Sequence, residues 1–296
     1  MHKHPEGIPF QTKPMNGNTP PIHPHPGETH RINRDVPNNQ GRLYENPCRK
    51  KNNLKANIKI ASMNLNGAMA PTENMSFLNK WRSISNTIQS EKITILVVQE
   101  MHLDQDMTEQ LQTRFKKNLT IIVSEHLENP CVKAGVGFMI NKKLIDPEEI
   151  KTYELIPGRA MVLEIKWLKT NTMSILNIYV PNERSTHTCY WADNRIKRHT
   201  LHIKTPDIVL GDFNVTEDAI DRMPPKLDDE KAIDALRETK QDWDLVDIWR
   251  KVNPTEKAFM YRAQTHSGHI QAHLDSVAAP SQPRIVLEGA QHLHAL

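Results

Sequence analysis

The chain has little of what would place it in a membrane, a disulfide framework or a zinc finger. No apolar run approaches the ~18–20 residues that span a bilayer, and the N-terminus lacks the apolar core of a secretory signal. Cysteine is scarce: Cys48, Cys131 and Cys189 stand far apart, with no metal or redox spacing. An odd, sparse set excludes a disulfide scaffold and argues for a reducing compartment, so the chain is expected in the nucleus or cytoplasm, not secreted. Excess charge is lacking too. Lys and Arg number 38 against 35 Asp and Glu, a net charge of +3, which permits a nucleic-acid partner without demanding one. What remains is a globular composition of 296 residues, 38% hydrophobic and 25% charged, enough for a substantial core.

Residues 1–56 differ from the rest. They are rich in Pro, His, Asn and Gly and almost free of aliphatic periodicity. Such a segment cannot bury enough apolar surface to offset the entropy of ordering, so a disordered tail is expected there and a folded domain over 57–296. His2, His4, His23, His25 and His30 read as composition rather than as a metal site. Beyond the tail, Ile58 to Met63 alternates as a strand does. Phe77, Leu78, Trp81, Ile84 and Ile88 carry the 3/4 spacing of an amphipathic helix over 76–90, and Ile93 to Val98 is a buried strand. Further strands are expected at 119–124, 135–140, 160–166, 173–180, 207–210, 258–262 and 272–278. Helices are expected at 187–202 and 229–239, and 245–249 reads as an apolar-patterned turn. Strands interleaved with helices imply an α/β sandwich, two packed sheets with helices on the outside.

Several strands end abruptly in polar residues. Met63 is followed by Asn64-Leu65-Asn66-Gly67, Val98 by Gln99-Glu100, and Ile178 by Tyr179-Val180-Pro181-Asn182. Leu210 is followed by Gly211-Asp212-Phe213-Asn214, and Leu274 precedes Asp275. One polar strand terminus is an ordinary turn or cap. Five suggest a pocket, because α/β sheets place ligands at the carboxyl ends of their strands. Carboxylates, carboxamides and a phenol without His/Cys zinc spacing suit Mg²⁺, with Mn²⁺ as the alternative ion, and phosphate chemistry. Glu100 is the leading metal-ligand candidate, with Asn66 or Asp275 as helpers. Asp212 can orient or deprotonate water, and Asn64, Asn214, Asn182 and Tyr179 can donate to phosphate oxygens. Lys116-Lys117, Lys142-Lys143 and Arg195 to Arg198 are candidate DNA-phosphate contacts.

At this point the chain resembles the endonuclease/exonuclease/phosphatase superfamily with its DNase I-like fold, and within it the apurinic-endonuclease-like domain of non-LTR (LINE-type) retrotransposons. Met63-Asn64-Leu65-Asn66-Gly67 looks like the opening motif of that domain, and Gln99-Glu100-Met101-His102-Leu103 like its Gln-Glu-Thr-His-Leu segment. Gly158-Arg159, Tyr179-Val180-Pro181-Asn182, Gly211-Asp212-Phe213-Asn214 and Asp244 to Arg250 follow in order. The resemblance implies an α/β four-layer sandwich, two mixed sheets flanked by helices, incomplete at its C-terminal edge. It implies a monomeric, Mg²⁺-dependent enzyme that nicks DNA to leave a 3′-hydroxyl, with no membrane partner. Glu100 would be the metal carboxylate and Asp212 the residue that handles the attacking water. Asp275 would orient a C-terminal histidine.

Departures cluster near the end. The family's Ser-Arg-Leu-Asp stands here as Ala272-His273-Leu274-Asp275, and Gln291-His292 takes the place of its closing Asp-His. His292 is the candidate catalytic histidine, with His294 beside it. These departures motivate an alternative, a degenerate fragment that keeps the fold and at most binds nucleic acid. A superfamily phosphatase is the third possibility.

Overall fold

The structure is a computed structural model that describes residues 58–67, 75–146, 150–167, 171–257, 259, 261–265, 268–272 and 275–281. By its contacts the chain divides into Met1–Lys50 and Lys51–Leu296, and all described residues belong to the second unit. The expected tail over 1–56 and the candidates His292 and His294 lie outside the described residues.

Two mixed sheets dominate. The first has the order β1-β2-β4-β3, built from β1 (Ile60–Asn64), β2 (Ile95–Gln99), β3 (Leu119–Ser124) and β4 (Val136–Asn141). The second is made of β5 (Ile150–Ile156), β6 (Ala160–Trp167), β7 (Asn171–Tyr179), β8 (Ile208–Asp212), β10 (Leu245–Asp247) and β13 (Asp275–Pro280). Its order is β10-β13-β8-β7-β6-β5. Each sheet holds one parallel pair, β1 with β2 and β7 with β8. A small ribbon joins β11 (Tyr261–Thr265), β12 (Gly268–Ala272) and β9 (Arg222–Met223).

Alternation along the strands explains the layering. Ile95 and Val97 of β2 share a core with Met161, Leu163, Ile175 and Leu210, so these faces meet between the sheets. Leu96 and Val98 point the other way, against α1 (Met75–Ser90) and α2 (Gln105–Phe115), where Trp81, Ile84, Ile88 and Leu111 pack. Leu176, Ile178 and Val209 of the second sheet face α3 (His187–Thr200) and α4 (Glu230–Asp242), which contribute Tyr190, Trp191 and Leu236. Helix, sheet, sheet, helix is the expected four-layer order.

The expected helices at 76–90, 187–202 and 229–239 form within a few residues of their anticipated bounds. Helix α2 and strand β5 escape sequence periodicity, as do the short β9 and β12. Helix α2 buries only Met107 and Leu111, and its start is set by Asp104, whose carboxylate accepts the Met107 amide at 2.8 Å. Strand β5 lies at the sheet edge and buries only Leu155 fully. The expected turn at 245–249 is instead β10 followed by the short helix α5 (Ile248–Val252), capped by Asp247.

A buried carboxylate ties the loops after β7 and β8 to the small ribbon. Asp228 accepts from Arg222 at 2.6 Å and from the Thr216 amide at 2.8 Å, and it pairs with Arg184 at 2.7 Å. Burial alone would raise its pKa, but the Arg222 and Thr216 hydrogen bonds and the two guanidinium charges outweigh it and hold the carboxyl below its ordinary 3.8. The folded protein therefore binds that proton less tightly than the unfolded chain. The stabilisation is complete above 3.8 and is lost as pH falls through the depressed folded value. Asp228→Asn is expected to cost on the order of 3 kcal/mol at neutral pH by depriving the largely buried Arg222 guanidinium of its charge partner. In urea titrations the gap between wild type and variant should shrink below about pH 4; a gap independent of pH would contradict this account.

Candidate active site

The carboxyl ends of both parallel pairs lie at one end of the sandwich. Asn64 at the end of β1 is in register with Gln99 at the end of β2, and Tyr179 of β7 with Asp212 of β8. Asp275 behaves differently from the other four strand ends, because it begins a strand. β13 runs antiparallel to β8, and that direction brings the Asp275 backbone into register with Asp212.

The centre of the site is Asn64. Its amide nitrogen donates to Glu100 Oε1 and to Asp212 Oδ2, both at 2.9 Å, spanning 36 and 148 residues of sequence. Its Oδ1 accepts the Asn66 backbone amide at 2.8 Å. Both donors of this carboxamide are thus committed, so Asn64 braces two carboxylates and does not offer a donor to phosphate as expected. Lys80 of α1 fixes the loop that follows, donating to the carbonyls of Leu65 at 2.8 Å and Gly67 at 2.9 Å, and burial lowers its pKa. On the facing side, Asp212 Oδ1 accepts the Asn214 amide at 3.0 Å, and Asn214 Nδ2 holds the Val180 carbonyl at 2.7 Å.

The backbone here is unusual. Asn66, Glu100, His102 and Asn214 all have φ between 48° and 50°, the left-handed region that non-glycine residues rarely enter. Gly211, with φ of 138°, is demanded by close approach: a Cβ there would lie 2.0 Å from the Ile178 carbonyl oxygen.

Tyr179 is buried beside these carboxylates. Its hydroxyl donates to Asn182 Oδ1 at 3.4 Å. Burial pushes its phenol well above the ordinary 10, and the Glu100 and Asp212 charges reinforce the shift against the opposing charge of Arg159. The phenol stays protonated at neutral pH and can donate. The Arg159 guanidinium lies 4.7 Å above the Tyr179 ring centroid and also reaches the Tyr179 carbonyl at 3.4 Å. In the sequence Arg159 is only part of a family-like motif; its place over the ring is a tertiary fact. His187, buried at the start of α3, contacts the Pro181 carbonyl through Nε2 at 2.8 Å and so anchors the loop that carries the exposed Asn182.

Six candidates, Asn64, Glu100, Tyr179, Asn182, Asp212 and Asn214, therefore meet, and the exposed Asn66 sits in the same loop as Asn64. The lysine pairs do not join them. Asn141 bonds the Thr94 carbonyl at the start of β2, and Lys142 caps α2 through the Lys116 carbonyl at 2.9 Å. That places Lys116, Lys117, Lys142 and Lys143 at the opposite end of the sheet, about five strand residues or roughly 16 Å from Gln99. Arg195 to Arg198 lie in the middle and last turns of α3, where Arg195 pairs with Glu238 at 3.8 Å and Arg198 covers the Trp243 ring.

Residues 61–270 match the Endonuclease/Exonuclease/phosphatase family. The chain belongs to that family. A curated relative, the transposon TX1 uncharacterized 149 kDa protein of Xenopus laevis, is 26% identical over 222 residues, which cover 74% of this chain. The match spans only 16% of that relative's length. Among solved structures, the endonuclease domain of TRAS1, a telomere-specific non-LTR retrotransposon, superposes with a TM-score of 0.51 at 13% identity, covering 76% of this chain and 86% of that one. The AP endonuclease LMAP of Leishmania major gives 0.59 at 17% identity, covering 76% and 79%. The family's two-sheet fold and the resemblance to the non-LTR retrotransposon domain are thus both borne out.

The donor set fits a hard divalent cation. It consists of oxygens from Glu100, Asp212 and neighbouring carboxamides, and among the described residues no group of three or more His, Cys, Asp or Glu gathers. Mg²⁺ commonly takes one or two protein carboxylates and keeps its waters, whereas a zinc site would need more protein ligands. Replacing Asn64 by Asp sets a third carboxylate between two others. Asn64→Asp should lose on the order of 1–3 kcal/mol at neutral pH. Adding Mg²⁺ should recover part of the loss; urea midpoints equal to wild type in chelator would show that Asn64 does not brace the pair.

Proposed function

We propose that this chain hydrolyses phosphodiester bonds in DNA, nicking one strand to leave a 3′-hydroxyl, as a retroelement-type endonuclease. The observation that carries this reading is the single Asn64 carboxamide bonded to both Glu100 and Asp212. Family membership and the nuclease folds of its structural relatives support it.

Asp212 is the residue for the attacking water. It is nearly buried, 6% exposed, and its two oxygens are oriented by the Asn64 amide and the Asn214 backbone N–H. A carboxylate so fixed can align water in line with the phosphorus and take its proton. The exposed amide of Asn182 donates to the phosphoryl oxygens, the neutral Tyr179 phenol donates there once it gives up its long 3.4 Å bond to Asn182 Oδ1, and Asn214 lines the same edge. Arg159 supplies positive charge beside two carboxylates that would otherwise repel a phosphodiester. Glu100, helped by Asn66 or Asp275, would hold Mg²⁺ or Mn²⁺, which supplies charge neutralisation on the phosphoryl oxygens. Asp275 is proposed to orient His292, supported by its backbone register with Asp212. The catalytic domain is assigned to 57–296, in a monomer acting in the nucleus or cytoplasm.

The altered motif at 272–275 favours a second reading, in which the fold binds nucleic acid without cutting it. One experiment separates the two. The full 296-residue chain is incubated with supercoiled plasmid and Mg²⁺. Conversion to nicked circles is expected, with loss in chelator and a fall of about 10³-fold in Asp212→Ala. The nicked product should prime a DNA polymerase directly. Nicking that survives Asp212→Ala would sink the site assignment, and DNA binding without any nicking would establish the second reading.

A further inference from the structure

We infer that Asn177 is a positioning residue whose buried carboxamide sets the spacing between the two sheets, and through it the placement of Glu100 against Tyr179. The inference deepens the nuclease reading and rests on it for the role of those two groups.

Asn177 belongs to β7, two residues before Tyr179, and its side chain points between the sheets with no exposure. It spends every hydrogen-bonding group it can on the opposite sheet. Its Nδ2 donates to the carbonyls of Val98 at 2.9 Å and Gly137 at 2.8 Å, and its Oδ1 accepts from Gln99 Nε2 at 2.8 Å. Gln99 is equally buried and continues the chain of contacts to Ser62 of β1, 3.2 Å away. The three residues stand one or two positions before site residues: Ser62 before Asn64, Gln99 before Glu100, Asn177 before Tyr179. They form a polar floor beneath the site.

Its chemistry explains why it lies there. Apolar side chains between the sheets attract without direction, so they tolerate small sliding and rotation. Hydrogen bonds of 2.8–2.9 Å at both ends of one carboxamide do not, and in a dry interior their loss leaves carbonyls unsatisfied. The apolar layer supplies adhesion, and Asn177 supplies register. Asn177 bonds Gln99, the residue before Glu100, and so acts through it.

The test measures two quantities in Asn177→Leu, a substitution that keeps the heavy-atom branching of the side chain and removes the hydrogen bonds. One is the Mg²⁺ concentration giving half-maximal thermal stabilisation of the full chain; the other is plasmid nicking. The Mg²⁺ midpoint should rise about tenfold and nicking should fall 10–100-fold, the usual cost of losing a residue that orients a metal ligand. Asn141→Leu is the control. It removes a carboxamide that is also buried, 2% exposed, at the far end of the same sheets, and should lower stability without moving the Mg²⁺ midpoint. Gln99→Leu should reproduce the Asn177→Leu shift, and it serves as the test variant should Asn177→Leu fail to fold. A wild-type midpoint in these variants, or an equal shift in Asn141→Leu, overturns the inference while leaving the nuclease reading intact. A wild-type chain that neither nicks nor is stabilised by Mg²⁺ overturns both.

Discussion

Face-to-face packing of the two sheets is the constraint on which the rest depends. Each sheet contributes one parallel strand pair, and only when the apolar faces of β2 and β4 meet those of β7 and β8 do the carboxyl ends of both pairs reach the same edge. The polar residues at those ends then have no choice but to face one another. Gly211 belongs to this constraint, because β7 and β8 approach too closely at Ile178 for any side chain. Helices α1, α2, α3 and α4 seal the outer faces, which lets strands such as β2 be apolar on both sides.

Bringing Glu100 and Asp212 to one carboxamide has an electrostatic cost that the fold offsets locally. Asn64 donates to both without adding charge, and Lys80 and Arg159 stand close to the same loops and ring. The neutral Tyr179 phenol adds a donor where a phenolate would add repulsion. Positive φ at Asn66, Glu100 and Asn214 is the backbone counterpart of this arrangement. Local strain aims the site residues, and hydrogen bonds such as Asn66 to Asn64 and Asn214 to Asp212 hold it.

Much of this was legible in the residues. The strands that form the inner layers carry continuous or alternating apolar runs, and these mark β2, β3, β4, β7 and β8 because burial on one or both faces leaves a period in the sequence. The abrupt change from Leu210 to Gly211-Asp212 marked a strand end, and the same habit at Asn64, Glu100 and Tyr179 marked the pocket. Elements that bury little left no such period. Helix α2 rests on two side chains and a cap, and β5 on an exposed edge. Asn177 looked like one more strand residue, since its partners in β2 and β4 lie far away in sequence.

The amino-acid sequence by itself determined the layered α/β class, the polar strand ends and the oxygen-rich chemistry available there, because periodicity and side-chain type are local properties. Only the tertiary structure decided which of those groups meet. It committed Asn64 to bracing two carboxylates, set Arg159 over Tyr179, and moved the paired lysines to the far end of the sheet. Hydrogen-bond partners separated by as many as 148 residues are chosen by how two sheets stack, and no local pattern along the chain records that choice.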